Sequence, residues 1–135
     1  MSMISDKELY KMANEARAAA YSPYSGITVG AALLCASGKV YTGANIENSS
    51  FSPTVCAERV AFFSAIHAGE RDFVAIAVAG GKAGEAPKSS FPPCGVCRQV
   101  MSEFCKKDFK VIFKDGEAVR FDEILPHGFD KDFVV

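Results

Sequence analysis

A continuous apolar run at residues 73–79, Phe-Val-Ala-Ile-Ala-Val-Ala, lies near the middle of this 135-residue chain. The run shows no alternation of apolar and polar residues, so it predicts a strand that is buried on both faces. A sheet that contains such a strand needs helices on both sides to cover it. At roughly 150 residues per domain, we expect residues 1–135 to form a single domain.

The segments around this run predict further elements in an order that suits such a sheet. Ser5 and Glu8 form a capping box for a first helix, whose pattern stops at Ser22-Pro23. Further helices are predicted at about 55–67 and 95–104, and strands at 28–35, 40–44, 111–113 and 119–121. Asp122 is a candidate cap for a last helical turn. We therefore expect an α/β fold, a three-layer α/β/α sandwich with a mixed sheet of about five strands.

Charge and hydropathy argue against several classes of function. Fifteen Lys and Arg residues against sixteen Asp and Glu residues give a net charge of −1, so no strong field attracts nucleic acid or anionic membranes. Charged residues interrupt the first twenty positions, which argues against a signal peptide, and no apolar run approaches a membrane span. We expect a cytoplasmic protein that acts on a small, roughly neutral molecule.

Five cysteines in a reducing compartment indicate metal or catalytic chemistry rather than disulfides. Cys94 and Cys97 form a C-x-x-C pair at a predicted helix start, where the helix dipole and free amides stabilise thiolates. Alone, this pair fits a redox site, half of a zinc site or simple packing. Cys56 lies at a second predicted helix start, and it makes a site of three thiolates geometrically reasonable.

Two kinds of zinc site remain open on the residues alone. A closed structural site would need a fourth ligand, for which the candidates are Cys35, Cys105, His67 and His127. An open catalytic site would use Glu58 as a general acid and base beside a water on the metal. A carboxylate two residues after a ligand has no purpose in a structural site, although acids are also favoured in a first helical turn. Residues two apart on a helix point about 200° apart, so Cys56 and Glu58 cannot both face one site from within a regular helix. Cys56 should therefore lie at the irregular start of the helix.

Two motifs carry a resemblance to a known family. Residues 56–59, Cys-Ala-Glu-Arg, and residues 93–99, Pro-Cys-Gly-Val-Cys-Arg-Gln, resemble the paired signature of the small zinc-dependent cytidine deaminases. The similarity extends over residues 21–25, 29–33, 43–48 and 125–126, and so over nearly the whole chain. It implies one Zn²⁺ per subunit, held by Cys56, Cys94 and Cys97, with a water in the fourth position and Glu58 as proton shuttle.

The resemblance also implies roles for residues around the metal. Three thiolates on a dication leave a formal charge of −1, which Arg59 would offset by hydrogen bonds to the sulfurs. Asn45 and Glu47 would bind the sugar hydroxyls, and Ala57 would lie against the substrate. Phe129 would reach from one subunit into a neighbour's site, which implies a homotetramer with its sites at subunit interfaces. Without the family, these residues would be interpreted as ordinary surface, loop and core positions.

Ile27 departs from the family's pattern. Similar enzymes usually carry a phenylalanine at this place, where it lies against the pyrimidine ring. An aliphatic side chain still buries the base, but it loses an aromatic-pair energy of about 0.5 to 1.5 kcal/mol. Affinity or base preference is therefore expected to differ.

The implied reaction is hydrolytic deamination of cytidine and 2′-deoxycytidine to the corresponding uridines and ammonia, a step of pyrimidine salvage. A related enzyme acting on a cytosine-bearing antibiotic such as blasticidin S is one alternative. A zinc-stabilised module that binds or edits RNA is another, and the net charge of −1 argues against it.

Overall fold

The buried strand predicted from residues 73–79 is the centre of a five-stranded mixed sheet in the computed structural model, which describes residues 3–134. The strands are β1 Ile27–Cys35, β2 Val40–Ala44, β3 Phe73–Lys82, β4 Lys110–Ile112 and β5 Ala118–Arg120. The helices are α1 Asp6–Ala16, α2 Ala57–His67, α3 Gly95–Phe104 and α4 Phe121–Ile124. The strand order is β2-β1-β3-β4-β5, with β3 and β4 parallel and the other neighbours antiparallel.

The alternating side chains of the strands build one core on each face of the sheet. On one face, Leu33 packs with Phe62 of α2 and Met101 of α3. On the other face, Ala32 packs with Leu9 of α1. The predicted three-layer α/β/α sandwich with a mixed sheet is therefore confirmed.

The first helix ends earlier than predicted, at Ala16 rather than near Ser22. Arg17 follows it and is buried, and its guanidinium donates hydrogen bonds to the carbonyl oxygens of Thr28 and Lys82, both at 3.0 Å. These bonds attach the end of α1 to the start of β1 and to the end of β3. The helical pattern in the sequence does not predict these hydrogen bonds, because they join residues that are far apart in the chain.

The last strand and helix are also shifted from the prediction. Phe121 begins α4 instead of ending β5, and Asp122 does not cap this helix. Glu123 does so, because its Oε1 accepts a hydrogen bond from the backbone N–H of Arg120 at 3.0 Å.

The helices of the described residues are short, and the longest of them, α1 and α2, have eleven residues each. Within residues 3–134, none is long and apolar enough to cross a membrane.

Gly30 allows α1 to lie directly on the sheet. A Cβ atom at Gly30 would overlap the backbone carbonyl of Ala13 in α1. We expect Gly30→Ala to lower the free energy of unfolding by about 3 kcal/mol, the upper end of the usual range for overpacking. A urea titration at fixed zinc loading measures this change. Gly95→Ala is the control, since no atom outside its chain neighbours and its own helix backbone lies within 4 Å of the added Cβ. It should change stability by less than about 1 kcal/mol.

Candidate metal centre

Three cysteine thiols meet where α2 and α3 begin. Cys56 is the N-cap of α2, Cys94 is the N-cap of α3, and Cys97 is the third residue of α3. The Cys94 sulfur lies 3.6 Å from the sulfurs of both Cys56 and Cys97, and all three sulfurs lie within 4.8 Å of one another. Cys56 has extended backbone angles (φ −76°, ψ 155°), which confirms that it lies at the irregular start of its helix.

The topology explains why two helix starts meet at this point. The strand β3 runs antiparallel to β1 and leads through a loop into α3, so α3 begins near the amino end of β1. The chain between β2 and α2 is drawn together by a pair of backbone hydrogen bonds between Ile46 and Val55. The loop before α3 is held by Arg98, whose Nε donates to the carbonyl of Pro93 at 2.8 Å.

The donor set fits a zinc ion. Thiolates are preferred zinc ligands, and each of the two helix N-termini adds partial positive charge beside them. Among the described residues, no fourth protein ligand joins the three thiols. The geometry therefore favours an open site over the closed structural site.

The other two cysteines lie in apolar surroundings that do not favour metal binding. Cys35 is buried at the far end of β1, and burial, with a smaller contribution from Glu70, raises the pKa of its thiol to about 11. Burial also raises the pKa of Cys105. Both are therefore protonated thiols at neutral pH, whereas zinc requires thiolates.

Glu58 is a buried carboxyl group without a partner. It is the second residue of α2 and only 3% exposed, and its Oε1 has no hydrogen-bond partner. Burial raises the pKa of Glu58 to about 7. An orphaned buried oxygen close to three thiols suits a group that exchanges a proton with a ligand in the site.

Arg59 provides positive charge next to the thiols. Its guanidinium donates a hydrogen bond to the sulfur of Cys56 at 3.7 Å. The neighbouring thiol of Cys97 and the Arg59 guanidinium hold the pKa of Cys56 below its usual value. The Cys56 thiolate is therefore stabilised at neutral pH, as a metal ligand requires.

Asn45 ties the amino end of β1 to the end of β2. Its Oδ1 accepts a hydrogen bond from the N–H of Val29 at 2.8 Å, and its Nδ2 donates to the carbonyl of Ile27 at 2.9 Å. These bonds leave one N–H and one lone pair of the buried amide for a ligand.

Glu47 organises the loop before β1. Its Oε1 accepts hydrogen bonds from the backbone N–H groups of Tyr24 and Ser25, at 3.0 and 3.1 Å, and its Oε2 accepts one from the Ser25 hydroxyl. The Ser25 hydroxyl also accepts a hydrogen bond from the N–H of Ile27. The carboxylate thus fixes the loop that leads into β1.

We expect the Glu47 bonds to stabilise the fold only while the carboxylate is charged. The hydrogen bond from Ser25 lowers the pKa of Glu47 below its usual value of about 4.3. A lowered pKa gives stability that is fully present above the unfolded-state pKa and is lost as the pH falls through the folded-state pKa. Urea titrations of the native chain and Glu47→Ala should therefore differ at pH 7 and converge towards pH 3. A difference in the free energy of unfolding that stays constant with pH would show that the charge of Glu47 does not contribute to stability.

The other residues implied by the resemblance occupy distinct places. Ile27 is the first residue of β1 and is half-buried against the core that also covers α2. Ala57 is the fully buried first residue of α2. Phe129 is 58% exposed and stacks on Phe133, with ring centroids 5.6 Å apart.

Two positioning residues were not found from the sequence. Ser25 holds Glu47, and Arg98 links the carbonyls of Pro93 and Ile124. Both lie inside the motifs quoted above, but their partners are 22 and 26 residues away, respectively, and no local pattern indicates them.

Comparisons with known proteins agree with this geometry. A sequence profile described as "Cytidine and deoxycytidylate deaminase zinc-binding region" matches residues 3–113. A cytidine deaminase of Halalkalibacterium halodurans is 49% identical over 125 residues, which cover 90% of this chain and 91% of that protein. A more distant relative, a blasticidin-S deaminase of Bacillus cereus, is 33% identical and covers 73% of this chain and 74% of its own.

A solved structure has the same fold. The crystal structure of cytidine deaminase from Burkholderia pseudomallei superposes with a TM-score of 0.84 at 42% sequence identity. The match covers 93% of this chain and all of that one. With a family profile over most of its length, relatives matched nearly end to end and three thiols gathered at two helix starts, the chain belongs to the zinc-binding cytidine and deoxycytidylate deaminase family.

Proposed function

We propose that this protein hydrolyses cytidine and 2′-deoxycytidine to the corresponding uridines and ammonia. The observation that carries the proposal is a buried carboxyl group with an unpartnered oxygen, Glu58, two residues after one of three clustered thiols. Hydrolytic deamination needs an activated water and a group that moves protons within a site shielded from solvent. The reaction names of the relatives support the same substrate class.

Cys56, Cys94 and Cys97 would hold the zinc ion, one in each subunit. When bound, zinc supplies Lewis-acid activation of water. Arg59 offsets the negative charge of the three thiolates through its contact with Cys56.

Glu58 would move protons between water and substrate. A water adds its oxygen to C4 of the pyrimidine, and one of its protons passes through Oε1 of Glu58 to ring N3. The second proton leaves with the 4-amino group as ammonia, so the atoms balance. A carboxyl group whose pKa burial raises to about 7 can both accept and donate a proton at neutral pH.

Asn45 and Glu47 would bind the sugar. The amide of Asn45 keeps one donor and one acceptor, and the carboxylate of Glu47 keeps an acceptor site after its three hydrogen bonds. Sugar hydroxyls, which both donate and accept, match these groups. Ile27 and Ala57 would lie against the base and close the pocket.

We further propose a homotetramer with its sites at the subunit interfaces. Phe51, Phe129 and Phe133 are 86%, 58% and 72% exposed, and burial of such rings favours association. Phe129 is well placed to reach a neighbour, because Gln99 and Ser102 of α3 hold its carbonyl oxygen at 2.9 and 2.8 Å. Sedimentation equilibrium should give four times the mass of one chain. A monomer with full activity would contradict this arrangement.

We propose that the protein acts in the cytoplasm as a single domain. None of the five cysteines forms a disulfide, which suits the reducing cytoplasm. Residues 1–135 would act as one cytidine deaminase-like domain.

The function is tested by incubating the zinc-loaded protein with cytidine, 2′-deoxycytidine and blasticidin S in parallel. We expect loss of the cytosine absorbance band and release of one ammonia per molecule with both nucleosides. Turnover of the antibiotic alone would favour the related aminohydrolase. Turnover that requires RNA and falls steeply with salt would favour the RNA module.

A further inference from the structure

Phe91 lies against the sheet at the end where the thiols meet. Its ring packs directly on the backbone of β3 at Gly80, since a Cβ atom there would lie 2.6 to 2.8 Å from three of its ring atoms. Phe91 is half-buried and comes three residues before Cys94. A glycine at position 80 thus makes room for this ring on β3, in the segment that leads to the thiol of Cys94.

The same region of the sheet carries Ile27. Gly80 pairs with Val29 of β1, and Ile27, two residues earlier in β1, points to the same face of the sheet. Ile27, Val29 and Phe91 all belong to or pack against one core cluster. Asn45 is hydrogen-bonded to the backbone of both Ile27 and Val29, so the proposed sugar-binding amide lies beside this part of the core cluster.

The segment that carries Phe91 is held on both sides. The N–H of Lys88 donates to the carbonyl of Gly80 at 2.9 Å, and Arg98 holds the carbonyl of Pro93. The backbone on both sides of Phe91 is therefore held in place, and such preorganisation favours binding.

Phe91 also lacks an aromatic partner among the described residues. The ring pairs of the same core join Phe62, Phe73, Phe104 and Phe109. Phe73 lies at the opposite end of β3 from Gly80, so this aromatic group is separate from Phe91. A pyrimidine ring is a suitable partner for an aromatic side chain that has none.

We propose that Phe91 contacts the pyrimidine and supplies the aromatic surface that Ile27 does not. This inference rests on the proposed function, because it names a contact of the same substrate. The ring would bind the ground state and the transition state equally, so it should affect KM more than kcat. Position 91 is then a determinant of base affinity that the motif residues alone do not indicate.

The test compares Phe91→Leu with Phe104→Leu, the same substitution in the same core at the other end of α3. We expect Phe91→Leu to raise KM for cytidine about 2- to 12-fold with kcat little changed, and to weaken uridine binding in calorimetry equally. Phe91→Tyr, which keeps the ring, should stay near the native KM. Phe104→Leu should lower Tm without changing KM.

A double variant tests whether positions 27 and 91 contact the same base. Ile27→Phe in the Phe91→Leu background places an aromatic ring on β1, beside the part of β3 on which Phe91 packs, and it should return KM towards the native value. An unchanged KM for Phe91→Leu, or equal KM changes for Phe91→Leu and Phe104→Leu, would overturn the inference and leave the function intact. A native protein without cytidine turnover would instead overturn the proposed function.

Discussion

Replacing Glu58 by Gln should lower kcat for cytidine by about 100- to 10,000-fold, the usual contribution of general acid and base catalysis. The amide has nearly the same size and shape as the carboxyl group, but it cannot carry protons between water and ring N3. Zinc content and much of the substrate affinity should remain, because Glu58 is not one of the clustered thiols. Steady-state kinetics, metal analysis and uridine calorimetry on one preparation measure all three quantities.

Arg59→Lys gives a comparison for this experiment. It changes the residue next to Glu58 and keeps a positive charge near Cys56, so its loss of activity should be smaller than that of Glu58→Gln. Near-normal turnover by Glu58→Gln would show that another group moves the protons.

Replacing Cys94 or Cys97 by Ala should remove zinc and activity together. Two thiolates hold the ion poorly, and the lost ligand comes from the first turn of α3. The variants should also lose the stabilisation that bound metal provides, which is about 4 kcal/mol when free zinc is 1,000 times Kd. Zinc analysis after gel filtration and thermal unfolding with and without added zinc measure these effects.

The remaining cysteines are matched controls. Cys35→Ala removes a buried thiol and Cys105→Ala a half-buried one, both outside the cluster. Both variants should lower stability while the protein keeps its zinc. Loss of zinc from either variant would revive the closed structural site. Full zinc content in Cys94→Ala would place the ligands elsewhere.

Much of the thiol cluster could be predicted from the sequence because its determinants are local. Cys56 and Cys94 each precede a strong helical pattern, so their thiols were expected at helix starts, and both are N-caps in the structure. The apolar run at residues 73–79 likewise predicted a buried central strand, which runs three residues further, to Lys82. Periodicity and capping depend on residues within a few positions of each other, so both can be recognised in a single amino-acid sequence.

The features that sequence reasoning missed depend on distant partners. Arg17 ends α1 through bonds to Thr28 and Lys82, and Glu47 is held by Ser25 across 22 positions. The packing of Phe91 on Gly80 depends on the path of the loop between them. Hydrogen bonds and contacts of this kind leave no periodic signal in the sequence.

Because the clustered thiols come from the starts of two different helices, a bound ion would also constrain the unfolded chain. Cys56 and Cys94 are 38 positions apart, so an ion held by both acts as a cross-link that closes a loop of that length. By the loop-closure relation used for disulfides, this would remove chain entropy worth about 4 kcal/mol from any unfolded form that keeps the ion. Zinc depletion should therefore speed amide hydrogen exchange across α2, β3 and the start of α3 together, because one entropic constraint spans all three.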